Sequence, residues 1–430
     1  MGGSDFYCFL SGMTHIEGED AILGELEIEP DPQIIRKPDE DDLDDIREYL
    51  AAEKSKAEGV EVHSSTIDVT KWHYPSKGVL SGLLLSEDDM AATHDCVLIS
   101  GYEPDEDDPE EVGLVYCEDM GVDDVENLSD HAIAVFNVYS TESGCYSCHD
   151  DEEKDYSLWR DRLGFYVTFT SYCILQTVAP EVTPSVLYRV FKHRYDSESD
   201  GGKAFDKIDY GVVKQTMNQY VARTEACGRQ NHSRGWWQNM LYYVQATDEE
   251  VLKEAWSGEG SLWAFTRPDR FPIEKAIAAL SLSSFPPGSP SGGYGSSTFE
   301  RLPLELLLKI SESMTLKTFL DVLALNRAVR ELLLPHGDEI SYKAMRSMEP
   351  WHFPSHPLET PEGARDEEEL NWWKEKWAKD GIDEASIERS APWLKYRIKC
   401  SRDNSMRSRR RIWRTAETIR DVAVELGFIE

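Results

Sequence analysis

The chain has 430 residues, room for two or three domains, and its 40% hydrophobic content with 12 Trp and 19 Tyr is that of a globular protein with a substantial core. Asp and Glu number 81 against 45 Lys and Arg, a formal net charge of −36, of which residues 1–298 carry −34 and residues 299–430 only −2. That imbalance disfavours nucleic acid and anionic membranes as partners of the first 298 residues, no apolar run approaches the length of a spanning helix, and proteins are left as the partner class.

The start lacks the charged-then-apolar pattern of a secretory leader. The eight scattered cysteines are therefore expected as free thiols, and the protein in the cytoplasm or nucleus. Asp5 to Gly12 reads Asp-Phe-Tyr-Cys-Phe-Leu-Ser-Gly. Cys8 is expected to be a small buried hydrophobe or a free thiol.

Residues 39–48 and 103–111 are acidic runs without the glycine or the ligand alternation of a calcium loop, and read as solvated loops, helix faces or short disordered insertions. Asp196, Glu198, Asp200 and Gly201 come nearer to such a loop, but Lys207 holds the closing position where a bidentate Glu belongs. Asp95 to Ser100, Val112 to Cys117 and Ala132 to Tyr139 have strand patterns. Cys145, Cys148 and His149 form Cys-x-x-Cys-His, the spacing of haem attachment or of half a zinc site; the chain has no second Cys-x-x-Cys, so the spacing reads as coincidence, with a zinc site completed by distant Cys117 or Cys173 as the alternative. Neither a metal nor a cofactor is expected.

From Tyr156 to Leu282 the pattern is mostly helical. Ser185 to Tyr195 and Ile273 to Leu282 are periodic, Thr247 and Glu250 form a capping box, and Trp236 with Trp237 follows a glycine. No Ser/His/Asp order, phosphate-binding glycine loop or His-x-x-x-His helix appears, so no catalytic residue is nominated. Residues 284–298 are a Pro/Gly/Ser linker, closing an acidic N-terminal α+β domain at 283.

Residues 299–337 carry three short helical periods. Leu302, Leu306 and Ile310 recur at i, i+4, i+8; Leu316, Phe319, Leu320 and Leu323 at i, i+3, i+4, i+7; Leu325, Val329, Leu332 and Leu333 at i, i+4, i+7, i+8. Pro303 suits a helix start, as does Thr315, and Pro335 suits a stop. Seventeen of the 33 residues from Leu302 to Leu334 are Leu, Ile, Val, Met or Phe, more than three short helices can hide. Part of that surface should meet another chain.

Leu-Pro-x-Glu-Leu-Leu-x-x-Ile at 302–310, two further leucine-rich helices and Arg327-x-x-Arg330 resemble the F-box. The resemblance implies a trihelical module that docks on the Skp adaptor of cullin-RING ubiquitin ligases while the rest of the chain holds a protein substrate. Carried onto this chain, the adaptor contacts are Leu302, Pro303, Leu306, Ile310 and Leu320. The Asp5 to Gly12 opening resembles that of F-box proteins expanded in fungi. Where the family has an acidic residue and a tryptophan, this chain has Thr318 and Val329. These motivate an alternative, a scaffold outside ubiquitin chemistry with a degenerate F-box; a hydrolase with dispersed catalytic residues is the enzyme-class rival.

Beyond the module, residues 338–430 read as a helical C-terminal region. Ile340 to Met348 continues as a helix, 350–363 is broken by proline, and Arg365 to Lys379 has acids first and lysines last, with Trp372, Trp373 and Trp377 along it. Residues 389–414 hold ten basic residues and one acid, Asp403, and lead into a stripe of Ile412, Ala416, Ile419, Ala423 and Leu426. The basic run resembles an Arg-rich Ile-Trp run in the same fungal proteins. It has three readings: a counter-surface for the acidic domain, a nuclear-import signal, or a nucleic-acid patch. The fold expected is α+β and mostly helical, and the function that of a non-catalytic substrate receptor.

Overall fold

β-Branched and aromatic residues build three neighbouring strands of a five-stranded antiparallel sheet in the computed structural model. Its described residues are 8–12, 43–44, 47–48, 51–52, 54–56, 59–68, 96–101, 132–142, 145–148, 151–157, 164–194, 208–211, 213, 249, 253, 256, 262–278, 302–325, 327–356 and 368–430. Among them the fold is α+β and mostly helical. By contact density the chain divides into two units, the first of residues 1–175, 179–267 and 414–430, the second of 176–178 and 268–413.

In the first unit, β1 (Cys96–Gly101), β2 (Ala132–Glu142), β3 (Cys145–Cys148), β4 (Asp151–Ser157) and β5 (Gly164–Thr168) lie in the order β4-β3-β2-β1-β5. β1 and β2 fall where the alternation predicts. β3, β4 and β5 are additional, and Cys145 and Cys148 stand in a strand rather than in the turn a shared metal would ask for. Val112 to Cys117, His149, the loop at 196–207, Trp236, Trp237 and the Thr247 capping box lie outside the described residues, as does the 103–111 run; Asp44, Arg47 and Glu48 of the first acidic run are helical.

Helices α1 (Phe169–Val178) and α2 (Pro184–Arg194) follow β5. The Ser185 hydroxyl donates to the carbonyl of Ala132 and accepts from its N–H, which fastens the start of α2 to the start of β2. Phe165 of β5 stacks on Phe191 of α2 with ring centroids 4.4 Å apart, and Phe9 meets Phe165 edge-on at 4.8 Å. Cys8 is a buried thiol whose sulfur accepts from the N–H groups of Ser11 and Thr168. Tyr210 donates its hydroxyl to the Phe9 carbonyl at 2.6 Å. Thr415 of the last helix donates to the Asp209 carbonyl, and the Arg189 guanidinium lies 3.9 Å from the Phe428 ring centre, which is why residues 414–430 join this unit.

The main segment of the second unit begins at Pro268, ahead of the linker at 284–298, because the residues just after Pro268 are needed in an aromatic core. Phe271, Ile273 and Ala276, the last two on α3 (Ile273–Ala278), pack with Phe353, Trp373, Trp377, Trp393 and Tyr396. The linker itself lies outside the described residues. There follow α4 (Leu304–Glu312), α5 (Leu316–Leu325), α6 (Arg327–Leu333), α7 (Gly337–Met348), α8 (Glu368–Ala378), α9 (Ile387–Ser390), α10 (Trp393–Cys400) and α11 (Asn404–Glu425). Trp372, Trp373 and Trp377 put the apolar side of α8 into or against that core, and Gly381, at φ +78°, reverses the chain just beyond it. The expected apolar stripe is buried at Ile412, Ala416, Ile419 and Ala423, while its last residue, Leu426, lies past the end of α11 and is half-buried.

Candidate docking surface

Pro303 caps α4 from the non-helical side, its carbonyl accepting from the N–H groups of Leu306 and Leu307. The Thr315 hydroxyl accepts the Thr318 N–H and starts α5. At about 100° per residue, positions 303, 306 and 310 of α4 fall within about 60° of one another, with 307 and 311 on the next strip of the surface. Those two strips have opposite fates. Leu307 and Ser311 are buried, the serine hydroxyl satisfied by the Leu307 carbonyl at 2.7 Å, whereas Leu306 is 52% and Ile310 42% exposed.

The inner strip joins Phe319, Leu323, Val329, Leu333 and Ile340 in a small core. Of the five residues expected at the site, Pro303, Leu306 and Ile310 face water, and Leu302 and Leu320 are half-buried, Leu302 packing on that core. α4 thus brings the first four together at its start and on its outer face; Leu320 comes from α5. Leu332 and Leu334, each 42% exposed, add apolar surface. Four of the six exposed large hydrophobic residues among those described therefore lie from 306 to 334, which makes this stretch a water-facing apolar surface among the described residues of the second unit. Thr318 is exposed beside Thr315, while Val329 is buried and so takes no part in the surface.

The three helices are anchored from outside themselves. Lys343 of α7 bridges to Glu312 at 2.9 Å and to Glu339 at 2.8 Å. The Asp338 carboxylate accepts the Leu394 N–H, and Leu394 packs on the small core. Arg397 of α10 is fully buried, donating from Nε and Nη2 to both Glu349 oxygens, at 2.9 and 2.7 Å, and from Nη2 to the Met314 carbonyl between α4 and α5 at 3.0 Å. Burial alone would raise the Glu349 carboxyl, but the hydrogen bonds and charges of His352 and Arg397 outweigh it and pull the carboxyl down to about 2. Burial pushes His352 below the ordinary imidazole range against the pull of Glu349. The Trp351 indole donates to His352 Nε2 at 3.1 Å.

The basic segment is used in the same way. Arg409, fully buried, donates to the carbonyls of Pro268 and Phe353, to the Ser355 hydroxyl and to Glu369. Burial pushes the Glu369 carboxyl up against the attraction of Arg409. Arg411 is buried as well, and Arg410 lies over the Trp351 ring at 5.2 Å. Several of these cations are thus structural posts inside the second unit, which the sequence, reading them as a surface charge, did not reveal. The signal that could have found them is their interleaving with Ile412, Trp413 and Met406.

No group of three or more His, Cys, Asp or Glu among the described residues is placed to hold a metal ion, and no described helix is long and apolar enough to cross a membrane. Comparison with protein-family models, with characterised proteins and with solved structures finds no match to this chain.

Proposed function

We propose that the chain is the substrate-receptor subunit of an SCF-type cullin-RING ubiquitin ligase. Leu302, Pro303, Leu306, Ile310 and Leu320 meet the Skp adaptor, another surface holds a protein target, and transfer chemistry belongs to other subunits. The observation that carries this reading is the outward turn of Leu306 and Ile310 beside a buried Leu307. A leucine-rich helix that merely served its own interior would turn the richer strip inward. Covering the two exposed side chains would release about 1 kcal/mol each, since full burial of such a residue is worth about 1.5–3 kcal/mol and each is about half covered already. A few more such contacts make an interface of useful strength.

Co-expression with the adaptor tests it. The wild-type chain should co-purify in a one-to-one complex, and Leu306→Asp with Ile310→Asp should abolish the complex while leaving the far-ultraviolet spectrum and melting temperature nearly unchanged, because both positions already face water. A folded wild type that fails to bind favours instead a scaffold outside ubiquitin chemistry. For that reading the motivating residue is Thr318, neutral and exposed where the family has an acid.

A further inference from the structure

The sheet of the first unit treats its two edges differently. At β5, an apolar strand, the segment at 8–12 lies along the edge: Phe9 donates its N–H to the Tyr166 carbonyl at 3.3 Å, and Thr168 donates to the Cys8 sulfur at 3.3 Å. At the other end β4 pairs with β3, antiparallel, and with no second strand among the described residues. A strand paired on one side presents alternate main-chain N–H and C=O groups on the other, and these form a template for one more strand. β4 reads Asp-Glu-Glu-Lys-Asp-Tyr-Ser, four acids and one base, within a region of net charge −34.

We propose that the outer edge of β4 takes up an extended, Lys- and Arg-rich segment of the target protein as an added strand. This names the class of target for the receptor reading, and rests on that reading only for what happens to the protein once held. Charge on an edge strand ordinarily keeps edges apart, and here it repels a second copy of this chain, which would bring its own acids. The same charge attracts a cationic strand over the range of the surrounding field, so the edge is selective rather than closed. Main-chain pairing supplies the binding geometry, and alternate basic side chains of the guest supply the choice.

The experiment uses the full-length chain and a labelled nine-residue peptide alternating Lys and Thr, read by fluorescence anisotropy. Binding is expected at low salt and should weaken at least about tenfold when the Debye length is cut to a few ångströms. Glu152→Lys with Asp155→Lys should weaken it by a similar factor, whereas Lys154→Glu, which removes the single cation of the strand, should tighten it. The same peptide N-methylated at every residue keeps its charge but has no N–H to give, and should not bind. Equal binding of the methylated peptide would reduce the effect to bulk charge attraction and overturn the proposal, as would no binding of the parent peptide at low salt. Adaptor co-purification of the wild-type chain separates the two readings. A wild type that holds the adaptor but not the parent peptide strikes the edge alone, and one that holds the peptide but not the adaptor strikes the receptor assignment alone.

Discussion

Replacing Glu349 by Gln should cost the second unit about 3 kcal/mol at neutral pH, through the buried guanidinium it leaves behind. Arg397 has no exposed surface and gives both of its bonded nitrogens to this one carboxylate, with the Met314 carbonyl as the remaining acceptor. The magnitude follows from two routes. A folded-state carboxyl at about 2, against an ordinary 4.5, corresponds to about 3 kcal/mol, at about 1.4 kcal/mol for each tenfold change in proton affinity. Independently, breaking a buried ion pair by deleting one partner costs about 3–5 kcal/mol. Because the folded value lies below the unfolded one, the stabilisation is complete above about pH 4.5 and disappears as the pH falls towards about 2. Urea-dependent hydrogen exchange of peptides from α7 and α10 measures this in the unit concerned. The wild type should lose its advantage over Glu349→Gln across that acid window, and Glu349→Met with Arg397→Met should lie above the single variant at neutral pH. A neutral-pH difference under about 1 kcal/mol, or one that is flat down to acid, would refute the ionised Glu349–Arg397 pair as the source of this stability.

Two further substitutions test other parts of the fold. Leu307→Ala should destabilise the second unit by about 2–5 kcal/mol and Leu306→Ala by under about 1 kcal/mol, so neighbouring leucines of one helix give opposite results in a denaturation midpoint series; similar losses at both would mean that the outer strip is covered. Gly12, at φ +66°, would place an added Cβ 2.6 Å from the Tyr210 ring, so Gly12→Ala combines left-handed strain with a clash and should lower the stability of the first unit by about 3 kcal/mol; hydrogen exchange near Phe9 and Tyr166 unchanged from wild type would contradict that packing.

Helices were the legible part of this chain because their signals are local. The i, i+4 spacings at 302–333, the acids and lysines at the two ends of α8 and the stripe of α11 each lie within a few turns of one another, and each appears in a helix. β3 and β4 were not legible, since neither offers alternating apolar residues and the register of an edge strand comes from its neighbour.

Composition and spacing were enough to establish an acidic front, short leucine-rich helices and an excess of apolar surface around them. They could not say which leucine faces water, because Leu306 and Leu307 are one residue apart in a run apolar on both strips, and only packing against Phe319 and Val329 separates them. Nor could they say that Arg397 and Arg409 point inward. A charge enters an interior only where acceptors from distant parts of the chain converge on it, here Met314 and Glu349 for one and Pro268, Phe353 and Glu369 for the other. That convergence exists in three dimensions alone.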